Sequence, residues 1–416
     1  MKMPRLFAGF LTGFFLIQMC VLAQEPAVPD DIRKFADSIN TSINSGDPSV
    51  MNSAFDKPKF IDRIIGGQQI KPDVLSGFTK GFSKGFTYGS ELVRAQAKLK
   101  TLRLYKDKEG YHQLVRMQLG DAVAYLDFLL EKGAGGIRII DCFVFVTGEN
   151  LSETLSRNVM PSLMRESKNV ITKALTPKDN FLLHMDKISD MRKNNVAQNY
   201  KESLAIYNAL PAELKKEKAI MMMRFSAAQG LGVDTPEYLQ AMQDFEKTFP
   251  GEPCLALILI DYYFMKKDFG KVDKCITDLE KALKCTDPYL YYMRGINASL
   301  AGRNADALKH LEKAIELEPD ADTYQLLLLK LLVDEKNWAQ VVKVMEGMDK
   351  NFKYKFPDIE TAPLFSEFIK TDEYRKWKSA RSNSPDSPPV APQKTGTGNG
   401  NSGKKSSFRM LEPVAK

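Results

Sequence analysis

The sequence predicts a multidomain chain in which an α+β domain precedes an all-α array of helical hairpins. Apolar residues alternate with a period of two between residues 99 and 146, and they recur with a helical period before and after that stretch. Residues 288–320 contain two such helical runs, separated by a short turn that includes Gly302 and Asn304. We therefore expect one antiparallel sheet early in the chain and stacked helices later.

Composition excludes several classes of protein. The 416 residues are enough for two or three domains, and 44% hydrophobic with 27% charged residues is typical of a globular protein. The net charge of +7 is modest, and basic and acidic residues alternate along the predicted helices. No basic stripe is interleaved with aromatic residues, so we expect no nucleic-acid partner.

The N-terminus has the pattern of a secretory signal over residues 1–23. Lys2 and Arg5 precede an apolar run, and Val21-Leu22-Ala23 places small residues where a signal peptidase cuts. We expect cleavage after Ala23 and export to the periplasm or beyond the cell. Two alternatives stay open: an uncleaved anchor, which would bring membrane contact, and lipidation of Cys20, which the large residues before it disfavour.

The first domain, predicted over residues 30–148, opens with short amphipathic helices, the first ending at Gly46. A later helix carries a glycine every fourth residue, with phenylalanines beside the glycines. We expect the glycines to let another backbone approach and the phenylalanines to join the core, while an interfacial membrane helix stays an alternative. The residues are Gly77, Gly81, Gly85, Gly89, Phe78, Phe82 and Phe86.

Four strands are predicted next, joined by short hairpin connections that make the sheet antiparallel. They are Leu99–Tyr105, Tyr111–Leu119, Ala122–Leu130 and Ile137–Val146. This order of helices and strands resembles an NTF2-like α+β domain, with a cystatin-like sheet as the neighbouring possibility.

The NTF2-like resemblance implies a cavity inside the curved sheet that can hold a ligand or an Asp or His base. Polar strand residues that could face it are His112, Arg116, Tyr125, Asp127 and Asp141. We favour the alternative that they face solvent. A buried, unpaired Asp141 would have a raised pKa and would reopen the catalytic hypothesis.

A helical connector is predicted over 149–179 and the helical array over 180–378, where small residues stand at helix-crossing positions. Gly295, Ala307 and Ala314 surround Leu311, and Pro319 ends the unit, so this stretch resembles a tetratricopeptide repeat (TPR). Two weaker copies of this unit are found. A shift of 32 residues towards the N-terminus places Cys275 on Ala307 and Leu279 on Leu311. A shift of 34 residues towards the C-terminus places Val341 on Ala307 and Met345 on Leu311. We expect roughly four units, with aromatic residues capping the last hairpin. The capping residues are Phe365, Phe368, Ile369, Tyr374 and Trp377.

The composition of residues 379–416 changes to Ser, Pro, Gly, Asn, Thr and Lys, with almost no large apolar residue until Phe408. Such a segment buries too little surface to order itself, so a disordered tail is predicted.

The TPR resemblance implies that a peptide or a partner helix binds along the face lined by the first helices. Residues at the matching positions are mostly apolar, so we expect an apolar segment of a protein partner. An alternative is that the preceding domain or the capping helix covers this face, and the oligomeric state stays open. The candidate residues are Tyr289, Tyr292, Ile296, Ser299, Ile260, Phe264, Leu326 and Lys330.

No catalytic, metal-binding or phosphate-binding motif is found. The three histidines are spread over distant elements, and no Cys/His spacing suggests zinc. We expect neither enzymatic activity nor a cofactor. Among Cys254, Cys275 and Cys285 one disulfide is conceivable in an exported chain, but small-hydrophobe packing is favoured. The sequence thus predicts an exported, non-catalytic scaffold, or alternatively an NTF2-like ligand-binding or enzymatic domain with an appended array.

Overall fold

The computed structural model describes residues 28–167 except residue 121, together with 183–356 and 359–382. The predicted signal segment, part of the connector and almost all of the predicted tail lie outside these residues. The described residues begin with five helices, and the predicted end of the first is confirmed by a left-handed Gly46 (φ 84°). These helices are α1 (Asp30–Ser45), α2 (Ser49–Ala54), α3 (Lys57–Ile65), α4 (Pro72–Gly85) and α5 (Tyr88–Arg94).

The predicted antiparallel meander is present, with strand order 1-2-3-4-5. A fifth strand of two residues, which the periodicity was too short to indicate, pairs with the fourth. The strands are β1 (Lys98–Lys106), β2 (Tyr111–Leu119), β3 (Ala122–Gly133), β4 (Gly136–Val144) and β5 (Glu149–Asn150). Register shifts in β1 and at the β3–β4 pairing bend the sheet locally.

One face of the sheet packs on the early helices and on α6 (Leu151–Glu166). Apolar residues of α1, α2 and α3 form one core with Val115, Leu126 and Phe128 from alternate sheet positions. The period-two pattern thus determines which strand residues meet these helices.

For the helix with glycine at every fourth residue, only the prediction about the phenylalanines is confirmed. Phe78, Phe82 and Phe86 pack against this core, and the rings of Phe82 and Phe86 stack 4.9 Å apart. Gly77, Gly81 and Gly85, however, face open space, and a Cβ added to any of them would meet nothing within 4 Å. The prediction of close backbone approach was therefore wrong for these three.

Gly89, the fourth glycine of the series, does permit a close approach. A Cβ there would lie 2.7 Å from the carbonyl oxygen of Pro48 and 2.8 Å from Met51. Since Gly89 belongs to α5, after the helix has been broken, the four glycines never form one continuous stripe.

The second half of the described chain is an array of five helical hairpins. Their helices are α7 (Met185–Val196) with α8 (Tyr200–Asn208), α9 (Lys218–Leu231) with α10 (Pro236–Thr248), α11 (Pro253–Met265) with α12 (Phe269–Leu283), α13 (Pro288–Leu300) with α14 (Asn304–Leu317), and α15 (Asp322–Asp334) with α16 (Trp338–Phe352). Between the two helices of every hairpin lies a residue with positive φ. These residues are Gln198, Gly232, Lys267, Gly302 and Lys336.

The positions of these turn residues correct both the number and the register of the predicted units. They are spaced by 34 or 35 residues, so the described chain holds five hairpins rather than about four. The predicted backward shift of 32 residues is wrong, because the true shift is 35. The shift of 35 residues aligns Val272 with Ala307 and Ile276 with Leu311 of the next hairpin, and both Val272 and Ile276 are fully buried. The forward shift of 34 is confirmed by the burial of Val341 and Met345.

The last hairpin is capped as predicted. Phe365, Phe368, Tyr374 and Trp377 form one cluster with α15 and α16, and Trp377 belongs to α17 (Asp372–Ser382). Within the described parts of the chain, no helix is both long and apolar enough to cross a membrane.

Candidate interaction surface

The hairpin formed by α13 and α14 is held together by the small residues that the sequence singled out. A Cβ on Gly295 would lie 2.9 Å from Cγ of Leu311 and 3.5 Å from the carbonyl oxygen of Ala307. The absence of a side chain at 295 therefore lets α13 and α14 cross closely. With Ala307 and Ala314 fully buried beside Leu311, this hairpin confirms the predicted TPR-like packing.

The second face of the sheet packs on the array. Leu114, Tyr125 and Phe145 are in one apolar core with residues of α9 to α13, including Cys254 and Leu259. His112, Arg116 and Asp127 are on this same face of the sheet, because β2 and β3 pair Arg116 with Tyr125 and Leu114 with Asp127. The favoured expectation that the polar strand residues face solvent is therefore wrong for Arg116 and Tyr125, and it is also wrong for the fully buried Asp141.

Arg116 joins the sheet to the array through two carboxylates. Its Nη1 donates to Asp287, which precedes α13, and its Nη2 donates to both carboxylate oxygens of Glu318, which follows α14, at 2.5 and 2.7 Å. The hydroxyl of Tyr125 donates to Asp287 Oδ2 at 2.7 Å, and Lys100 Nζ donates to Glu318 Oε1 at 2.7 Å. Arg116 is only 5% exposed, so these bonds are shielded from water.

The buried network shifts the pKa values of its acids in opposite directions. Burial raises the pKa of Asp287 above its ordinary value, although Arg116 opposes the shift. Burial also acts to raise the pKa of Glu318, but hydrogen bonds from Arg116 and Lys100 outweigh it and lower that pKa. Glu318 is therefore held as the carboxylate that faces the guanidinium.

A second polar cluster lies further along β2, near the β1–β2 turn. His112 Nδ1 is 3.3 Å from Asp127 and Nε2 is 3.0 Å from Asp107, while the Tyr105 hydroxyl donates to Asp127 at 2.5 Å. Burial of the ring acts to lower the pKa of His112, but the two carboxylates outweigh it and raise that pKa. The cluster fixes the turn to the sheet.

Asp141 is fully buried, but its carboxylate is satisfied. It accepts hydrogen bonds from Arg63 Nε at 2.7 Å, from Ser152 Oγ at 2.5 Å and from the Cys142 amide at 2.8 Å. This arrangement ties α3 and α6 to β4, and the condition for reopening the catalytic hypothesis is not met. Among the described residues, no group of His, Cys, Asp and Glu side chains could hold a metal ion.

The predicted groove residues fall into three groups. Tyr289 lies beneath the Arg116 guanidinium at 5.7 Å, and Tyr292 stacks on Tyr324 at 5.0 Å. Ile260 and Leu326 are only 5% and 7% exposed, so they do not line an open surface as expected. Phe264, Ile296, Ser299 and Lys330 keep partial exposure, as do Tyr289 and Tyr292.

The corrected register explains the burial of Ile260. A shift of 35 residues places Ile260 on Gly295, the position that packs against the second helix. Its neighbour Asp261 takes the exposed position that Ile296 occupies in the next hairpin. Lys330 lies at this position one hairpin later, with its Nζ 2.6 Å from Asp334.

A row of exposed apolar residues runs along the ends of the first helices. Val196, Met265 and Leu300 are the last residues of α7, α11 and α13, and they are 81%, 55% and 60% exposed. We call these three the edge row. They are three of the six large apolar side chains that are exposed in the described chain.

The hairpin between Val196 and Met265 contributes Gly230 at the same position. The ring of Tyr200 lies so close to Gly230 that a Cβ there would overlap it. The Tyr200 ring therefore occupies the place where this hairpin, having a glycine, has no side chain. The edge row could not be predicted from the 32-residue shift, because that shift aligns Leu300 with Asp268 instead of Met265.

A cavity of about 440 Å³ lies elsewhere, between α6 and the first two hairpins. Acidic and basic side chains line it, including Glu149, Arg157 and Lys193, and part of this charge is paired within the lining, as in Arg157 with Glu149. It is separate from the strand residues that the NTF2-like resemblance implied.

No protein-family model matches this sequence, and no curated protein matches it. Similar solved structures include MamA, residues 41 to the end, from Desulfovibrio magneticus RS-1, with 15% identity over 40% of this chain and 92% of that chain (TM-score 0.33). A MamA RS-1 double mutant has 14% identity over 40% and 93% (TM-score 0.33), and a thermophilic TPR protein from Thermus thermophilus has 14% over 47% and 98% (TM-score 0.27). Similarity at this level says nothing about what the present chain binds.

Proposed function

We propose that this protein is a non-catalytic scaffold that binds an apolar segment of another protein along the exposed ends of its first helices. The single observation that carries the proposal is the edge row, in which Val196, Met265 and Leu300 repeat one exposed apolar position. Adjoining exposed apolar side chains are typical of protein-binding sites, and Met265 and Leu300 end successive first helices.

The sheet restricts where such a partner can bind. Arg116 covers Tyr289 and is bonded to the residues on either side of α13 and α14, so the N-terminal end of α13 is engaged within the chain. The C-terminal end of the same helix carries Ile296 and Leu300, which keep exposure. We therefore place the partner at the C-terminal ends of the first helices.

The test is capture of partners from the source organism by the immobilised full chain. A variant with Met265→Asp and Leu300→Asp should lose the captured protein, because two charges would then oppose apolar contact. Leu317→Asp is the matched control, since Leu317 is 38% exposed but ends a second helix. Equal capture by all three chains would overturn the proposal.

The alternative is a small-molecule-binding or enzymatic NTF2-like domain with the array as an appendage. The cavity of about 440 Å³ is large enough for a small ligand, but it lies between α6 and the first two hairpins and not inside the curved sheet. Against this alternative, Arg116 and Tyr125 are already engaged by Asp287 and Glu318. Native mass spectrometry of protein purified from its source would favour this alternative if it showed a bound small molecule.

Export belongs to the proposal as well. It is supported by the charged, apolar and small-residue regions of residues 1–23. N-terminal sequencing of the protein from its source should begin at Gln24, whereas a chain that still carries Met1 or Lys2 would contradict cleavage.

A further inference from the structure

We infer that the edge row is also a docking site for this chain's own segment Phe408–Leu411. This segment has the sequence Phe-Arg-Met-Leu and lies outside the described residues. The inference uses the same surface as the proposed function, but it names an intramolecular occupant and requires no partner.

The spacing of Phe408 and Leu411 in the segment agrees with the spacing of Met265 and Leu300 in the edge row. The stacked rings of Tyr292 and Tyr324 show that successive first helices are neighbours, and packed helices lie about 8–10 Å apart. In a polyproline II segment, which has three residues per turn and rises about 3.1 Å per residue, side chains three positions apart lie on the same side, about 9 Å from each other. Phe408 and Leu411 have this separation, so one can contact Met265 while the other contacts Leu300.

The chain is long enough to make this contact. Ser382 ends α17, which packs on the fifth hairpin, and about 25 residues separate it from Phe408. Such a stretch can span up to about 80 Å, well beyond the width of the two hairpins to be crossed. A tether of this kind gives the segment an effective concentration near the millimolar range, so weak apolar contacts are enough to populate the docked state.

This segment has more large apolar side chains than the residues that precede it after Ser382. From residue 383 to residue 407 the only larger apolar side chain is Val390, whereas Phe408, Met410 and Leu411 fall within four residues. Docking would shield apolar side chains on both sides from water, and this burial stabilises the docked state. A partner with the same spacing would have to displace the segment.

Photo-crosslinking in the full chain tests the inference. With Leu300→p-benzoylphenylalanine, irradiation of the dilute monomer should join residue 300 to residues 408–411, as mapped by peptide mass spectrometry. The same probe in Leu317→p-benzoylphenylalanine should give at least about tenfold less of this product, because Leu317 is exposed but lies off the edge row.

A second pair of substitutions keeps the test independent of folding defects in the array. Phe408→Asp with Leu411→Asp should abolish the product while residues 28–382 are unchanged. Crosslinks between two chains would assign the edge row to a second copy and overturn the inference. Crosslinks to 408–411 that are equally abundant from both probe positions, or absent from Leu300, would overturn it as well. None of these outcomes depends on whether a partner is captured.

Discussion

Arg116 and Glu318, 202 residues apart in the chain, are joined by two hydrogen bonds from a single nitrogen: Nη2 donates to Oε1 at 2.5 Å and to Oε2 at 2.7 Å. The same guanidinium donates to Asp287 through Nη1. A β-strand of the first domain is thereby fixed to both ends of the hairpin formed by α13 and α14. The two parts of the chain are coupled by this network and by the apolar core around it.

We expect Arg116→Ala to destabilise the protein strongly. Removing one partner of a buried ion pair leaves uncompensated buried charge and typically costs about 3–5 kcal/mol in the free energy of unfolding. Urea denaturation followed by circular dichroism would measure the loss. Arg94→Ala is the control, since its ion pair with Glu91 is exposed and should change stability little. Comparable losses in the two variants would contradict the structural role of Arg116.

We expect opposite effects from two glycine-to-alanine changes in helices of the array. Gly295→Ala places a Cβ 2.9 Å from Leu311, and such overpacking typically costs about 1–3 kcal/mol. Gly347→Ala, in α16, meets nothing within 4 Å and should stabilise by about 0.5–1 kcal/mol. Thermal unfolding midpoints would rank the variants. If Gly295→Ala were as stable as Gly347→Ala, α13 and α14 would not cross as closely as described.

The corrected register makes a prediction at two adjacent residues. Ile260 is 5% exposed, and Ile260→Ala should cost about 2–5 kcal/mol through lost contacts and a residual cavity. Asp261→Ala, at an exposed position, should cause no loss of stability. Chemical denaturation of both variants decides the register, because a spacing of 32 residues would expose Ile260 and make its truncation nearly neutral.

The His112 cluster predicts how stability depends on pH. The pKa of His112 is raised in the folded protein, so its contribution is complete below its unfolded value near 6.5 and is lost as pH rises through the folded value. The stability advantage of the wild type over His112→Gln should therefore be larger at pH 5.5 than at pH 9. The groups facing the ring are Asp107, Asp127 and Tyr105, and Arg103 lies over the Tyr105 ring. An advantage that grew towards pH 9 would contradict this assignment.

Thiol reactivity should follow burial. The described cysteines are free thiols, and burial raises the pKa of Cys285 to about 11 and that of Cys254 to about 12. In a chain with Cys20→Ser, a disulfide reagent at pH 8 should react slowly, and first at Cys285, which is only half-buried. Cys285→Ser should remove this first phase, while fully buried Cys142 should react only after unfolding. A fast phase that survives the substitution would contradict the order.

Local periodicity alone determined the elements of the fold. Alternation over residues 99–146 predicted the four main strands, because a sheet with distinct faces requires a period of two. The glycine at 295 and the alanines at 307 and 314 predicted the tightest hairpin, because only small residues let helices cross so closely. Capping and breaking residues such as Gly46 placed helix ends correctly, since a left-handed residue is a local requirement.

Only the tertiary structure decided which surface each element presents. The sequence placed Arg116 and Tyr125 on one face of the sheet, but their partners Asp287 and Glu318 are distant in the chain and follow no spacing rule. The predicted exposure of Ile260 was wrong for a related reason. Because the repeat length varies between 34 and 35 residues, a few matching apolar residues do not determine how one hairpin aligns with the next. The turn residues with positive φ supply that alignment, and the backbone conformation of Lys267 and Lys336 becomes visible only once the chain is folded.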